Sequence, residues 1–192
     1  MVLYDFIKFA HVLTVIFMAV PLYNLIVVNE RALFGKAHLD VDRYFETLIR
    51  GSAIRCYVFQ VSALVTGLLL VWQSGSLSAV VENWVLGVKL ILLLTLTALL
   101  SVVHFSLQPG IDALLARAEG EKIPDEIAAQ IGPLRLRRKR LAATCLFLVV
   151  VTVLLGMQTA RVFPWWMSAG LIVLAALFSV RVFRSRMVYG WF

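Results

Sequence analysis

Two side chains in this sequence stand where ionisable groups are rare. His11 lies inside Phe6–Val28, an apolar run broken only by Lys8, His11, Pro21 and a few small polar groups. A run of this length is read as a membrane-spanning helix, since about 20 residues at 1.5 Å rise cross a hydrocarbon core of ~30 Å. An imidazole there has lost its water and needs a strong partner, so it points to function. Three chemistries are open to it. As a haem or other metal ligand it would be neutral, binding through one ring nitrogen while the other is hydrogen-bonded. As a structural residue it would bond across helices, and as a proton carrier it would need a path of water. Thr14 and Met18 share its helix face, and Met18 adds a thioether.

Lys89 is the second such group. An ammonium in hydrocarbon costs ~2.5–3.5 kcal/mol on the lenient insertion scale. It either snorkels to the surface or holds a carboxylate: a porphyrin propionate, a substrate acid, or Glu82. Gln73, Met157, Gln158 and Arg161 close neighbouring apolar runs at the same level. His11, Lys89 and these polar caps are therefore expected to converge in one half of a helical bundle, with Arg161 a further cofactor-binding candidate. His104 ends the third apolar run near the opposite surface, either as a surface histidine or as the ligand of a second haem partnered by Arg50 or Arg55. It stands too far from His11 to share one iron. His38 falls in a loop and is expected to be solvated, so any haem near His11 is held by that residue alone or with another ligand. Arg55, in the inner half of the second run with Gln60, is expected to snorkel. Copper is the other metal to weigh, because thioether and imidazole suit Cu(I) and Met18 and Met157 could join His11.

The elements that must position these groups are legible from composition. The chain is 61% hydrophobic and 15% charged, against ~25% charged in ordinary soluble domains. Five runs stand out, at Phe6–Val28, Ala53–Trp72, Val80–Phe105, Leu141–Ala160 and Val162–Phe183. They predict an all-α polytopic membrane protein with five transmembrane helices in one membrane domain. An open sheet would leave backbone groups unsatisfied in lipid, and barrel-type alternation is missing. The first run is too long for a signal peptide and lacks a small-x-small cleavage site after it. No inverted repeat of the transporter kind is seen.

Charge sets the expected orientation. Arg31, Lys36, Arg43 and Arg50 separate runs one and two; Arg117, Lys122 and five basic residues within Arg135–Arg140 separate runs three and four; Arg184 and Arg186 follow run five. The alternate turns hold only Arg161. Basic loops stay cytoplasmic, which puts the N-terminus outside and the C-terminus inside, as in a bacterial inner membrane. The net charge of +7 is thereby topological and needs no nucleic acid. Trp72, Trp84, Trp165 and Trp166 all fall at outer ends, where indoles collect. Cys56 and Cys145 fall on the reducing side and are expected as free thiols; without CxxC or CxxCH, covalent haem attachment is excluded.

Residues 106–140 form the one long soluble segment. Pro109–Gly110 is expected to stop the third helix. Ile111, Leu114, Leu115, Ile127 and Ile131 then predict two short amphipathic helices on the inner face, bounded by Gly120 and Gly132–Pro133. The basic cluster Arg135–Arg140 reads as a topology anchor beside the anionic inner leaflet, or as a docking surface for a partner subunit.

These residues carry a family likeness. "IKFAHVLTVIFMAVPLYNLIVV", with His11, resembles the first helix of the CopD-like and HemJ-type membrane families. "VTGLLL" at Val65–Leu70 resembles their glycine-bearing second helix, and "NWVLGVKLILLL" at Asn83–Leu94, with Trp84 and Lys89, their third. The glycine-rich stretch that follows the family's histidine reads Phe17–Met18–Ala19–Val20 here. The resemblance spans roughly Tyr4–Phe105 and implies b-type haem bound through His11, with Lys89 on a propionate or acidic porphyrin. It implies electron transfer or porphyrinogen oxidation within the bilayer, a membrane oxidoreductase of protoporphyrinogen-oxidase type. Two other readings remain: a non-catalytic accessory or assembly subunit of a larger respiratory or photosynthetic complex or a homo-oligomer, and a copper-handling membrane protein.

Overall fold

The computed structural model describes residues 2–28, 38–75, 78–160 and 162–184. They form α1 (Val2–Val28), α2 (Leu39–Gln73), a single turn α3 (Ala79–Glu82), α4 (Trp84–Val102), a π-helical turn (Val103–Leu107), α5 (Gln108–Ala116), α6 (Asp125–Ala160) and α7 (Trp165–Arg184). No strand occurs among the described residues. Five stretches are long and apolar enough to cross a membrane: Val2–Ile26, Leu39–Gln73, Trp84–Ala116, Asp125–Thr159 and Trp165–Arg184. The chain is therefore an all-helical integral membrane protein.

α6 is the hub, packing against α1, α4 and α7, while α1 lies along α2. The shared core takes Val15, Met18, Leu22 and Ile26 from α1, with Leu96 and Leu100 from α4. Small residues on the facing helices, Ala53, Cys56 and Ala63 on α2 and Ala142, Ala143 and Cys145 on α6, let the backbones approach. Both cysteines are free and buried, as expected. The opposite faces remain apolar and outward, as Phe6, Phe9 and Ile16 on α1 and Ile91 and Leu94 on α4 illustrate. A helix that is apolar all round belongs in lipid. The four tryptophans named above are exposed at one end of the bundle, at the end of α2 and the starts of α4 and α7. Gly75 turns the chain there with φ +129°, a conformation that favours glycine.

At the other end the helices run on. α2 and α6 hold 35 and 36 residues, about 50 Å of rise each and well beyond the hydrocarbon core. α4 does not stop at Pro109–Gly110 as its sequence suggests. It continues through the π-helical turn into α5, with the proline in the first turn of α5. Pro109 lacks an N–H, and the widened turn just before it shifts the hydrogen-bond register where that donor is missing. Nor does Gly132–Pro133 break the chain. α6 passes through Pro133 because Ile131 and Leu134 on either side pack into a second apolar cluster with Leu39, Ile111, Leu115 and Ala118. The two segments expected as short amphipathic helices pack against each other and against α2, the second of them as the first half of α6. They form a helical extension projecting from the bundle.

This extension encloses ionic groups. Arg138 of α6 is 0% exposed and donates to Glu46 of α2 (Nη1–Oε2, 2.6 Å; Nη2–Oε1, 3.2 Å) and to the Gln108 side-chain Oε1 (2.6 Å). Arg135 pairs with Asp42 and, at 3.0 Å, with Glu46. Gln108 donates to Glu46 at 2.9 Å, and Arg50 meets Asp112 at 2.6 Å. Two members of the basic cluster assigned to the leaflet surface are thus enclosed. Lys139 is also buried, its ammonium 4.9 Å from the centre of the Phe183 ring.

Candidate functional site

The spacing of core positions on α1 turns His11, Thr14, Val15 and Met18 inward together. His11 is half-buried, and its Nδ1 lies 2.9 Å from the Thr66 hydroxyl of α2. Thr66 donates to the Ser62 carbonyl, four residues back, at 2.6 Å. The residue after it must be small: a Cβ at Gly67 would sit 3.2 Å from His11 Cε1 and 3.7 Å from Nδ1. The Ala63 backbone, one turn before Thr66, is the ring's other hydrogen-bonding neighbour on α2.

Lys89 enters from α4. Asn83 starts that helix, its side chain accepting from the Val85 N–H at 3.0 Å. Five residues on from the exposed Trp84, Lys89 is half-buried with its ammonium against α6, 3.6 Å from where a Cβ on Gly156 would stand. Among the described residues no carboxylate pairs with it, Glu82 included. This end of the bundle thus holds a half-buried imidazole seated against Gly67 of α2 and a half-buried ammonium seated against Gly156 of α6. Two turns beyond the His11–Thr66 contact, Leu3, Tyr4, Asp5 and Gln73 line an open cleft of about 550 Å³.

The other candidates are placed as follows. Met18 is 1% exposed within the apolar core, two helical turns (about 10 Å of rise) from His11. Met157 is half-exposed, and Gln158 is turned to α7, where it donates to the Ser168 hydroxyl at 2.6 Å. Arg161 lies outside the described residues. Arg55 is exposed, Arg50 is committed to Asp112, and His38, exposed, meets Glu121 at 3.2 Å.

His104 does not end a helix. It sits in the π-helical turn, edge-on to Tyr57 and Phe105, with Nδ1 buried and without a hydrogen-bond partner among the described residues. Tyr57 and Thr66 are separated by about 14 Å of rise on α2, so the histidines that touch them occupy different levels. Among the described residues no group of three His, Cys, Asp or Glu side chains gathers as a metal cage.

Sequence reasoning missed Thr66 and the enclosed ionic groups. The threonine was hidden as one more small residue in an apolar run. The acids had a signal: Asp42 and Glu46 share one face of α2 at i,i+4, and Arg135 and Arg138 one face of α6 at i,i+3. No family model, curated protein or solved structure matches the chain.

Proposed function

We propose that this protein is a b-type haem-binding redox protein of the bacterial inner membrane, acting in electron transfer or porphyrinogen oxidation within the bilayer. The observation that carries this reading is an imidazole anchored through Nδ1 on Thr66 and, inside the same bundle, an ammonium that no carboxylate pairs among the described residues. The donor set fits the group. His11 would supply a neutral nitrogen ligand, anchored through Nδ1 and cradled by Gly67. Lys89 would take a propionate or an acidic porphyrin substrate as its charge partner. Bound haem would supply one-electron chemistry. The chain supplies orientation of the ligand ring and a cation for the acid group.

The N-terminus outside and C-terminus inside complete the reading. The tryptophan-rich end, with His11 and Lys89, then faces the outer half of the membrane, and the projecting extension lies in the cytoplasm beside anionic lipid. A visible absorption spectrum of the purified protein tests the proposal. A Soret band and reduced α and β bands are expected, and their loss in His11→Ala. Full haem content in His11→Ala would overturn the ligand assignment. Copper by metal analysis without a Soret band would favour copper handling, and neither signal would favour an accessory subunit.

A further inference from the structure

We propose that Thr66 is a positioning residue that fixes the tautomer of His11, with the proton on Nδ1 and the lone pair on Nε2. A hydroxyl has one proton and two lone pairs. Thr66 directs its proton back along its own helix, to the Ser62 carbonyl at 2.6 Å and, more distantly, the Ala63 carbonyl at 3.3 Å. Such back-bonding is an established habit of Ser and Thr inside apolar helices. Thr14, Thr95, Thr97 and Thr152 of this chain follow it, at 2.8, 2.8, 3.0 and 2.8 Å.

Its proton spent, the Thr66 oxygen has only lone pairs to offer the imidazole 2.9 Å away. The hydrogen bond therefore runs from His11 Nδ1–H to Thr66. A neutral imidazole carries a single N–H, which leaves Nε2 bare. Gly67 fits the same assignment: its missing side chain lets the Cε1 edge of the ring settle against α2 and holds Nδ1 in register with the hydroxyl. The orienting partner that a ligating histidine requires is thus a threonine one turn from Ala63, in the middle of an apolar helix, and no carboxylate is used. The functional weight of the inference rests on the reading of His11 as a ligand, because only a ligand needs one particular nitrogen free.

The test is nitrogen NMR of ¹⁵N-histidine-labelled full-length protein, purified without added haem, with the His11 signals assigned by their loss in His11→Gln. Wild type and Thr66→Ser are expected to show a protonated Nδ1 and an unprotonated Nε2. Thr66→Val is expected to lose that preference and populate the Nε2–H form. In a titration with haemin, Thr66→Val should bind ~10-fold or more weakly, as for other lost orienting partners, and Thr66→Ser should recover the affinity. A proton found on Nε2 in wild type, or a Thr66→Val spectrum identical to wild type, would overturn the proposal. Wild type carrying the expected tautomer but binding no haemin would support the Thr66 assignment and remove the haem reading, so the two fail separately.

Discussion

Arg138 and Glu46 meet fork to fork between α6 and α2, through contacts of 2.6 and 3.2 Å, with the guanidinium wholly withdrawn from solvent. Removing Glu46 strands the buried guanidinium and costs ~3–5 kcal/mol, whereas removing Arg138 leaves Glu46 with Arg135 at 3.0 Å. Glu46→Ala should lower the thermal midpoint in detergent markedly, and Arg138→Ala by less, followed by circular dichroism. Arg138→Met combined with Glu46→Leu should recover most of the loss, since an apolar pair leaves no stranded charge. An unaltered midpoint in both single variants would show that the pair does not hold the extension together.

Gly67 should tolerate little. Alanine forces the His11 ring to give by a few tenths of an ångström, because its Cβ would stand 3.2 Å from Cε1. Leucine has no room at all. Haem content should fall partly in Gly67→Ala and nearly completely in Gly67→Leu, with the fold retained by circular dichroism. The Soret band at constant protein reads this directly.

Charge at Lys89 should matter more than bulk. A hydrogen bond to a charged group contributes ~1.5–3 kcal/mol, so Lys89→Met should weaken haemin binding ~10-fold or more. Lys89→Arg should keep most of the affinity. Equal affinity in all three proteins would reduce Lys89 to a snorkelling cation.

The orientation is open to labelling. Cys56 and Cys145 are buried in the core and should not react with a membrane-impermeant maleimide. Against that silent background, Glu82→Cys should be labelled in intact cells and Glu119→Cys only after lysis. Both positions are exposed, at opposite ends of the bundle. The reverse pattern would invert the topology.

The five spans were legible because lipid demands long uninterrupted apolar runs and because tryptophan and basic residues mark helix ends. His11 and Lys89 were legible for the complementary reason: ionisable groups are rare at that depth. The projecting extension was not. Pro109 and Pro133 are local stop signals worth up to ~3 kcal/mol each, and reading them alone ends two helices too early. Packing of Ile111, Leu115 and Ile131, together with the Arg138–Glu46 pair, outweighs them. That weighing depends on contacts between segments some 90 residues apart, which spacing along one helix does not display. Thr66 was unreadable for a similar reason, since its importance lies in which helix faces it.

α6 runs unbroken from Arg138, clamped to α2, to Gly156, against which the Lys89 ammonium rests. No proline interrupts that interval of about 27 Å, so the helix is a stiff strut linking the protein's projecting end to its polar interior. Any tilt that a neighbour imposes on the projecting end would reach Lys89 without a hinge to absorb it. The seat of the ammonium is built on the same unbroken helix that carries the clamp to α2.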